Sequence, residues 1–386
     1  MEEFLSVLRT NLDTQDIVIE FLPNGSQEDD ITAMRATAVS RLRVEILAGG
    51  GPDVFIMRYI QTDFSGMGYN LDSGDILFKS PQKVMESGLF LPLDEYIENN
   101  TQFTEWEKFP KAIMDAGRNY EGQQIIPVTY TFPVLITPQE VFDYTQDQTL
   151  CWSDLLTDPE IALFAADLIN CRSDYSEDSS GNFGVSYPDY LEFSLGKIAD
   201  YEKEELLFTE EEFLQHIKEI LALSPQDVHT DAEESLIGVN IRSLTQPVTM
   251  LPMYSDDGGI SARIESYAVV NRNTRRPEEA FAVIDTLLST EAQQSYKIYS
   301  EYLCDRYNGG LPMNEGLYKV GTAEKIYQKE ENYRALCALR EQITCAYFDG
   351  EATAILNVLF ECDAYPEQVE GIVHEAYEDL QRRVRE

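Results

Sequence analysis

Arg58 directly follows a short apolar run, residues 53–57 (DVFIM), and Tyr59 comes next. A guanidinium can clamp a carboxylate or a pair of hydroxyls. The loop after a strand is also where α/β sheets hold their ligands. Met57, Arg58 and Tyr59 are therefore candidate contacts, and Asp63 and Tyr69 lie in the loop beyond. The chain carries 22 Tyr, 18 Phe and only 2 Trp. Tyrosine can both stack on an apolar ring face and hydrogen bond at its tip.

Other chemistries find less support. No GxSxG elbow and no GxxxxGK[ST] phosphate loop occurs. Residues 64–68 (FSGMG) are not a GxGxxG, and His374-Glu375 lacks the second histidine of HExxH. The six cysteines form no CxxC pair and the three histidines have no metal spacing. The cysteines are expected to be mostly free and buried. Asp174, Glu177 and Asp178 could ligate calcium, but EF-hand spacing is missing and a solvated loop is the expectation. No cofactor and no metal is expected. With 69 acidic residues, any carboxylate pair is uninformative, so a secreted glycoside-processing enzyme stays open as an alternative.

The net charge of −40 disfavours nucleic acid and anionic lipid as partners. The acids are spread along the chain, as on solvated faces. At 386 residues the chain is long enough for two or three domains. No run approaches the ~18 apolar residues of a membrane span. Met1 is followed by EEFLSVL, with no basic region of a signal peptide.

The elements that must position these residues alternate between two periods. Residues 2–10 read as the end of a helix and residues 16–22 (DIVIEFL) as a strand. Residues 31–47 are helical and stop at glycines 49–51. DVFIM is a buried strand, and a helix is expected near residues 83–86. Pro92 opens another short helix. Residues 123–138 (QQIIPVTYTFPVLITP) are strand-like twice, broken at Pro127 and Pro133. CWSDLLTD (151–158) begins a helix, and 210–223 is a helix. Residues 258–274 contain a strand, and 276–299 two helices with a break. GGLPMNEGLY (309–318) is a loop, and the last 60 or so residues are mostly helical. Strands alternating with helices make the class α/β.

The order of these signals resembles the extracellular solute-binding proteins of bacterial ABC importers, in the carbohydrate-type branch. VEILAGGGPDVFIM resembles that family's helix, glycine turn and strand. GLFLPLDEYI, EGQQIIPVTYTFPVLI, CWSDLL, ESYAVVNRNTRRPEEAFAVIDTLLSTEAQQ and GGLPMNEGLY follow in the family's order, and residues 190–221 resemble a sub-branch from anaerobic bacteria. The resemblance implies a two-lobed periplasmic-binding-protein-like fold of type II. Each lobe would be a mixed sheet flanked by helices, with the ligand cleft between. It places one lobe at 1–127 plus 258–305 and the other at 128–257 plus 306–386. Further contacts then follow. Tyr130 and Thr131 sit at a crossing between lobes, and Trp152 at a helix start. Tyr254, Ser255 and Asp256 precede the return crossing, and Glu265 and Tyr267 lie by the returning strand.

The implied function is non-catalytic capture of a small solute, a sugar or oligosaccharide, for delivery to a membrane permease by a monomer at the cell surface. A surface-binding module of a larger protein is a second alternative. The sequence departs from the family at its start. It begins inside the opening helix, with no first strand, signal peptide or lipid-attachment cysteine. It reads as a trimmed chain, a fragment, or a misplaced start.

Overall fold

A computed structural model describes residues 2–12, 17–23, 29–58, 76–138, 150–151, 195–222, 236–237, 248–255, 258–294, 311–314, 330–348 and 352–385. Helices α1 (Glu2–Leu12) and α2 (Asp29–Leu47) lead into strand β1 (Val54–Arg58). On α2, Val39, Leu42 and Ile46 recur at steps of three and four and are buried. The helix ends as glycine permits. Gly50 N donates to Glu45 O and Gly49 N to Ile46 O, each at 2.9 Å. Gly49 and Gly51 have φ of +79° and +94°, a region that only glycine enters without strain. Asn271 Nδ2 ties the turn down, donating to Gly50 O at 2.9 Å and Pro52 O at 3.1 Å. The glycine turn is architecture at the opposite end of β1 from Arg58.

Short helices α3 (Pro81–Glu86), α4 (Asp94–Asn99) and α5 (Lys111–Asp115) follow, with a 3-10 turn at Trp106–Lys108. Next come the hairpin β2 (Arg118–Asn119) and β3 (Gly122–Gln123), then β4 (Ile125–Thr131), β5 (Val134–Pro138) and β6 (Leu150–Cys151). A second hairpin, β7 (Ala199–Asp200) and β8 (Glu205–Leu206), precedes α6 (Glu210–Ala222), β9 (Leu236–Ile237), β10 (Val248–Tyr254) and the long β11 (Ile260–Val270). The chain continues through α7 (Pro277–Leu287), α8 (Thr290–Gln294), β12 (Leu311–Pro312), α9 (Glu330–Arg340), β13 (Ile343–Phe348), α10 (Ala352–Ala364) and α11 (Val369–Arg385).

The larger sheet runs β1-β11-β4-β12, and β13 also pairs with β11. A second sheet runs β6-β10-β5-β9. The chain passes between them twice. It leaves the first sheet from β4 through Phe132-Pro133 into β5, and returns from β10 through residues 255–259 into β11. Two apolar cores result. One covers the first sheet, with Ile125, Ile126, Val269 and Phe281 wholly buried. The other joins α6, α10 and α11 through Phe213, Ile217, Cys362 and Val373. Burial pushes the Cys362 thiol up to about 11, with Glu361 adding to it, so this cysteine behaves as a small hydrophobe.

Four sequence expectations are corrected. Residues 17–23 carry no regular structure. Ile17, Ile19 and Leu22 pack on the first core while Val18 is 90% exposed. The alternation therefore reports one-sided burial without a sheet partner among the described residues. Cys151 closes a strand rather than opening a helix, pairing in parallel with Tyr254. In the expected loop, Leu311–Pro312 pairs with Tyr130 and Thr129, at a sheet margin where proline's missing N–H is tolerated. Within the C-terminal helical region, ITCAYF forms β13, which pairs with β11 and buries Ile343, Ala346, Tyr347 and Phe348. The acidic loop at 173–184 lies outside the described residues.

Candidate functional site

Strand β11 is bordered on one edge by β4. Its other edge is shared by two strands. β1 runs antiparallel along the second half, ending with Arg58 opposite Ser266. β13 runs parallel along the first half, ending with Phe348 opposite Ile264. β1 and β13 thus approach each other head-on, and their carboxyl ends meet on either side of Glu265. Register against β4 slips at the same place, between Ile264 and Ser266. Such a bulge re-aims side chains and breaks the ladder locally. A break where two strands deliver their carboxyl ends is the kind of crevice in which α/β sheets bind ligands.

Residues directly opposite one another in neighbouring strands share a face. Two polar rows arise from this register. Arg58, Ser266 and Thr129 form one, and Tyr347, Arg263 and Thr131 the other. Thr129 and Ser266 hydroxyls hydrogen bond at 2.6 Å, which puts these two on one face, and Thr131, two residues further along β4, shares it. Arg263 reaches along its own strand to Glu265. Its Nε donates to Glu265 Oε1 at 2.9 Å, and its Nη2 lies 2.9 Å from the same oxygen. The two side chains are 5% and 8% exposed. Burying charges is costly unless they are paired and hydrogen-bonded, so this pair holds only as a unit.

The other face is largely aromatic. Tyr267 meets Phe348 edge to face, with centroids 5.3 Å apart. Tyr130 stacks with Phe132, and the Arg340 guanidinium lies 5.8 Å from the Tyr130 ring. Burial alone pushes the Tyr267 phenol far up, so it stays neutral.

The return crossing is held by a small polar cluster. Ser255 N and Oγ both donate to Gly259 O, at 2.8 and 2.9 Å, and Gly258 N donates to Ser255 O at 2.8 Å. Gly258 has φ of +82°. Ser261 Oγ lies 3.1 Å from Cys345 Sγ. Gly196 packs over it so closely that a Cβ there would sit 2.7 Å from Ser261 Oγ. The Tyr254 phenol donates to Gln342 Oε1 at 3.3 Å.

Of the residues singled out from the sequence, Arg58, Thr131 and Glu265 belong to the polar rows and their bulge, while Met57, opposite Tyr267, lies on the other face. Tyr130 and Tyr267 face the aromatic side, and Tyr254 and Ser255 belong to the crossing. Tyr59, Asp63, Tyr69, Trp152 and Asp256 lie outside the described residues. Sequence reading missed Thr129, Arg263, Ser266 and Tyr347. One signal was available. SARIES places Ser261, Arg263 and Glu265 at alternate positions in an otherwise apolar run. Among the described residues no group of His, Cys, Asp or Glu is arranged to hold a metal ion. No described helix is long and apolar enough to cross a membrane.

No protein-family model matches the chain, and no curated protein matches it. Solved structures do. An extracellular solute-binding protein family 1 member from Alicyclobacillus acidocaldarius superposes with a TM-score of 0.52 at 12% identity, over 90% of this chain and 87% of that one. A periplasmic oligogalacturonide binding protein from Yersinia enterocolitica gives 0.58 at 13%, over 99% and 94%. An ABC substrate-binding protein from Listeria monocytogenes in complex with cycloalternan gives 0.54 at 12%, over 100% and 94%. The chain therefore has the two-lobed α/β fold of periplasmic solute-binding proteins.

Proposed function

We propose that this protein is an extracellular solute-binding protein of an ABC importer, taking a sugar or oligosaccharide into a crevice beside Glu265 and delivering it to a membrane permease. The observation that carries the reading is the head-on meeting of β1 and β13 at Glu265, floored by buried hydroxyl, guanidinium and carboxylate groups. Planar charged groups and hydroxyls in an otherwise apolar setting are what a polyol needs for orientation. Two fold relatives, an oligogalacturonide binding protein and a substrate-binding protein in complex with cycloalternan, support the same ligand class.

Binding without turnover is the favoured form. Glycoside hydrolysis uses two carboxylates about the scissile bond. Among the described residues of the layer the one carboxylate, Glu265, is bonded to Arg263. Ligand then acts by differential affinity for a closed arrangement of the lobes, which the permease would recognise in a monomer at the cell surface.

A thermal-shift panel of oligosaccharides tests the proposal. A ligand present at about 100 times its dissociation constant adds about 2.7 kcal/mol to stability. A clear rise in midpoint with at least one sugar, without product formation, supports it. Silence across the panel, or cleavage of the sugar, refutes it.

A further inference from the structure

We propose that helix α3 gates the closing of the two lobes: Lys83 holds the second lobe at the end of α11, while the charge on Glu86 repels the acidic β7–β8 hairpin, so that closing gains as the pH falls. The inference goes beyond the solute-binding reading and rests on the two-lobed fold rather than on the solute.

Helix α3 reaches from one apolar core to the other. Its Met85 is buried in the first core. Helix α11 and the β7–β8 hairpin belong to the second, through Val373, Leu380, Ile198 and Leu206. Lys83 Nζ nevertheless donates to Arg383 O at 2.6 Å. That carbonyl lies in the last turn of α11, where a helix leaves its final carbonyls without intrahelical partners and carries partial negative charge. The bond is exposed, so it is one that two bodies can make and break.

Glu86 stands three residues on, along the same side of α3. Asn119 Nδ2 donates to its Oε2 at 3.3 Å. Burial is the largest cause that pushes its carboxyl up, the Asn119 bond opposes this, and Glu202, Asp200 and Glu121 add to the rise. Glu121 lies in the β2–β3 turn and is paired with Arg272. Asp200 and Glu202 lie in the hairpin of the second core, with Asp200 paired to Lys203. On α11, Arg382 and Arg383 are paired with Asp379. Asp200 and Glu202 recede when the lobes part, so their share of the rise belongs to closing. A carboxyl raised in the closed arrangement favours closing in full below its open-state pKa and loses that gain as the pH rises through the closed-state value.

Small-angle X-ray scattering of the whole protein without solute, from about pH 5 to about pH 8, tests the gate. Salt is held constant, because screening weakens the same repulsion. The radius of gyration should fall as the pH falls. Glu86→Gln should already give most of that compaction at the upper end of the range, and Glu202→Gln part of it. Lys83→Met should move the closed-to-open ratio toward open by about two- to fivefold at every pH. Circular dichroism identifies a variant that fails to fold. A radius that ignores pH, or that follows pH equally in the wild type and in folded Glu86→Gln, overturns the gate. So does an effect of Glu86→Gln with none from Glu202→Gln, which would assign it to packing within the first lobe. An unchanged radius in Lys83→Met overturns the hold on α11. All of these outcomes leave the solute-binding reading to the thermal-shift panel.

Discussion

Arg263 and Glu265 stand two residues apart on one strand, and their buried side chains join through Nε and Nη2 to a single carboxylate oxygen at 2.9 Å. They occupy the point where β1 and β13 deliver their carboxyl ends to the same edge of β11. Glu265→Ala would remove the carboxylate that pairs with a buried guanidinium. The expected loss is about 3–5 kcal/mol in urea denaturation, against a much smaller loss for the double replacement by methionine. Equal losses for single and double variants would show that the pair does not act as a unit.

The Thr129–Ser266 bond, at 2.6 Å, joins β4 to β11 within one polar row. Thr129→Val leaves Ser266 with a buried hydroxyl short of that partner. It should lower stability by about 1–2 kcal/mol, and adding Ser266→Ala should recover part of the loss. Chemical denaturation of the three variants decides. A double variant that is the sum of the singles would contradict the coupling.

The glycine turn before β1 is structural rather than functional on this account. Gly51→Ala places a side chain at φ +94°, with its Cβ 3.1 Å from Ile46 Cγ1. A cost of about 1–2 kcal/mol is expected from the backbone alone. Sugar affinity of the folded variant should stay within about twofold, less than half a kcal/mol. A large loss of affinity with unchanged stability would move the turn into the site.

Glu86 gives a pH signature. Burial pushes its carboxyl up, the Asn119 hydrogen bond opposes this, and Glu202, Asp200 and Glu121 add to the rise. A carboxyl raised on folding favours the native state's protonated form, so ionisation costs stability above its folded pKa and nothing below the unfolded one. Glu86→Gln should therefore raise the urea midpoint at pH 7 to 8. The gain should vanish below about pH 4, where the unfolded side chain is also protonated. A gain that is constant with pH would assign the effect to packing.

Much of the frame was legible because it is local. The glycines at 49–51 announced a helix end, and β-branched residues with proline breaks announced β4 and β5. The α/β class followed from their alternation. The two polar rows were not legible, because they are made by register. Arg58, Thr131 and Tyr347 are far apart in sequence and are brought to one sheet only through their pairing with β11. Arg263 and Glu265 were nearer to hand, since charged residues at alternate positions in an apolar strand must share a face. DIVIEFL misled for the converse reason. One-sided burial of Ile17 and Ile19 produces a strand's period without a strand's hydrogen bonds.

The central claim is that solute binds where β1 and β13 meet. The crystal structure of the protein grown with a stabilising oligosaccharide tests it most directly. The account expects sugar oxygens within hydrogen-bond distance of Arg58 or Glu265, on the face that carries Thr129 and Thr131. Sugar bound on the Tyr130–Tyr267 face, or away from the β1–β13 junction altogether, would contradict it.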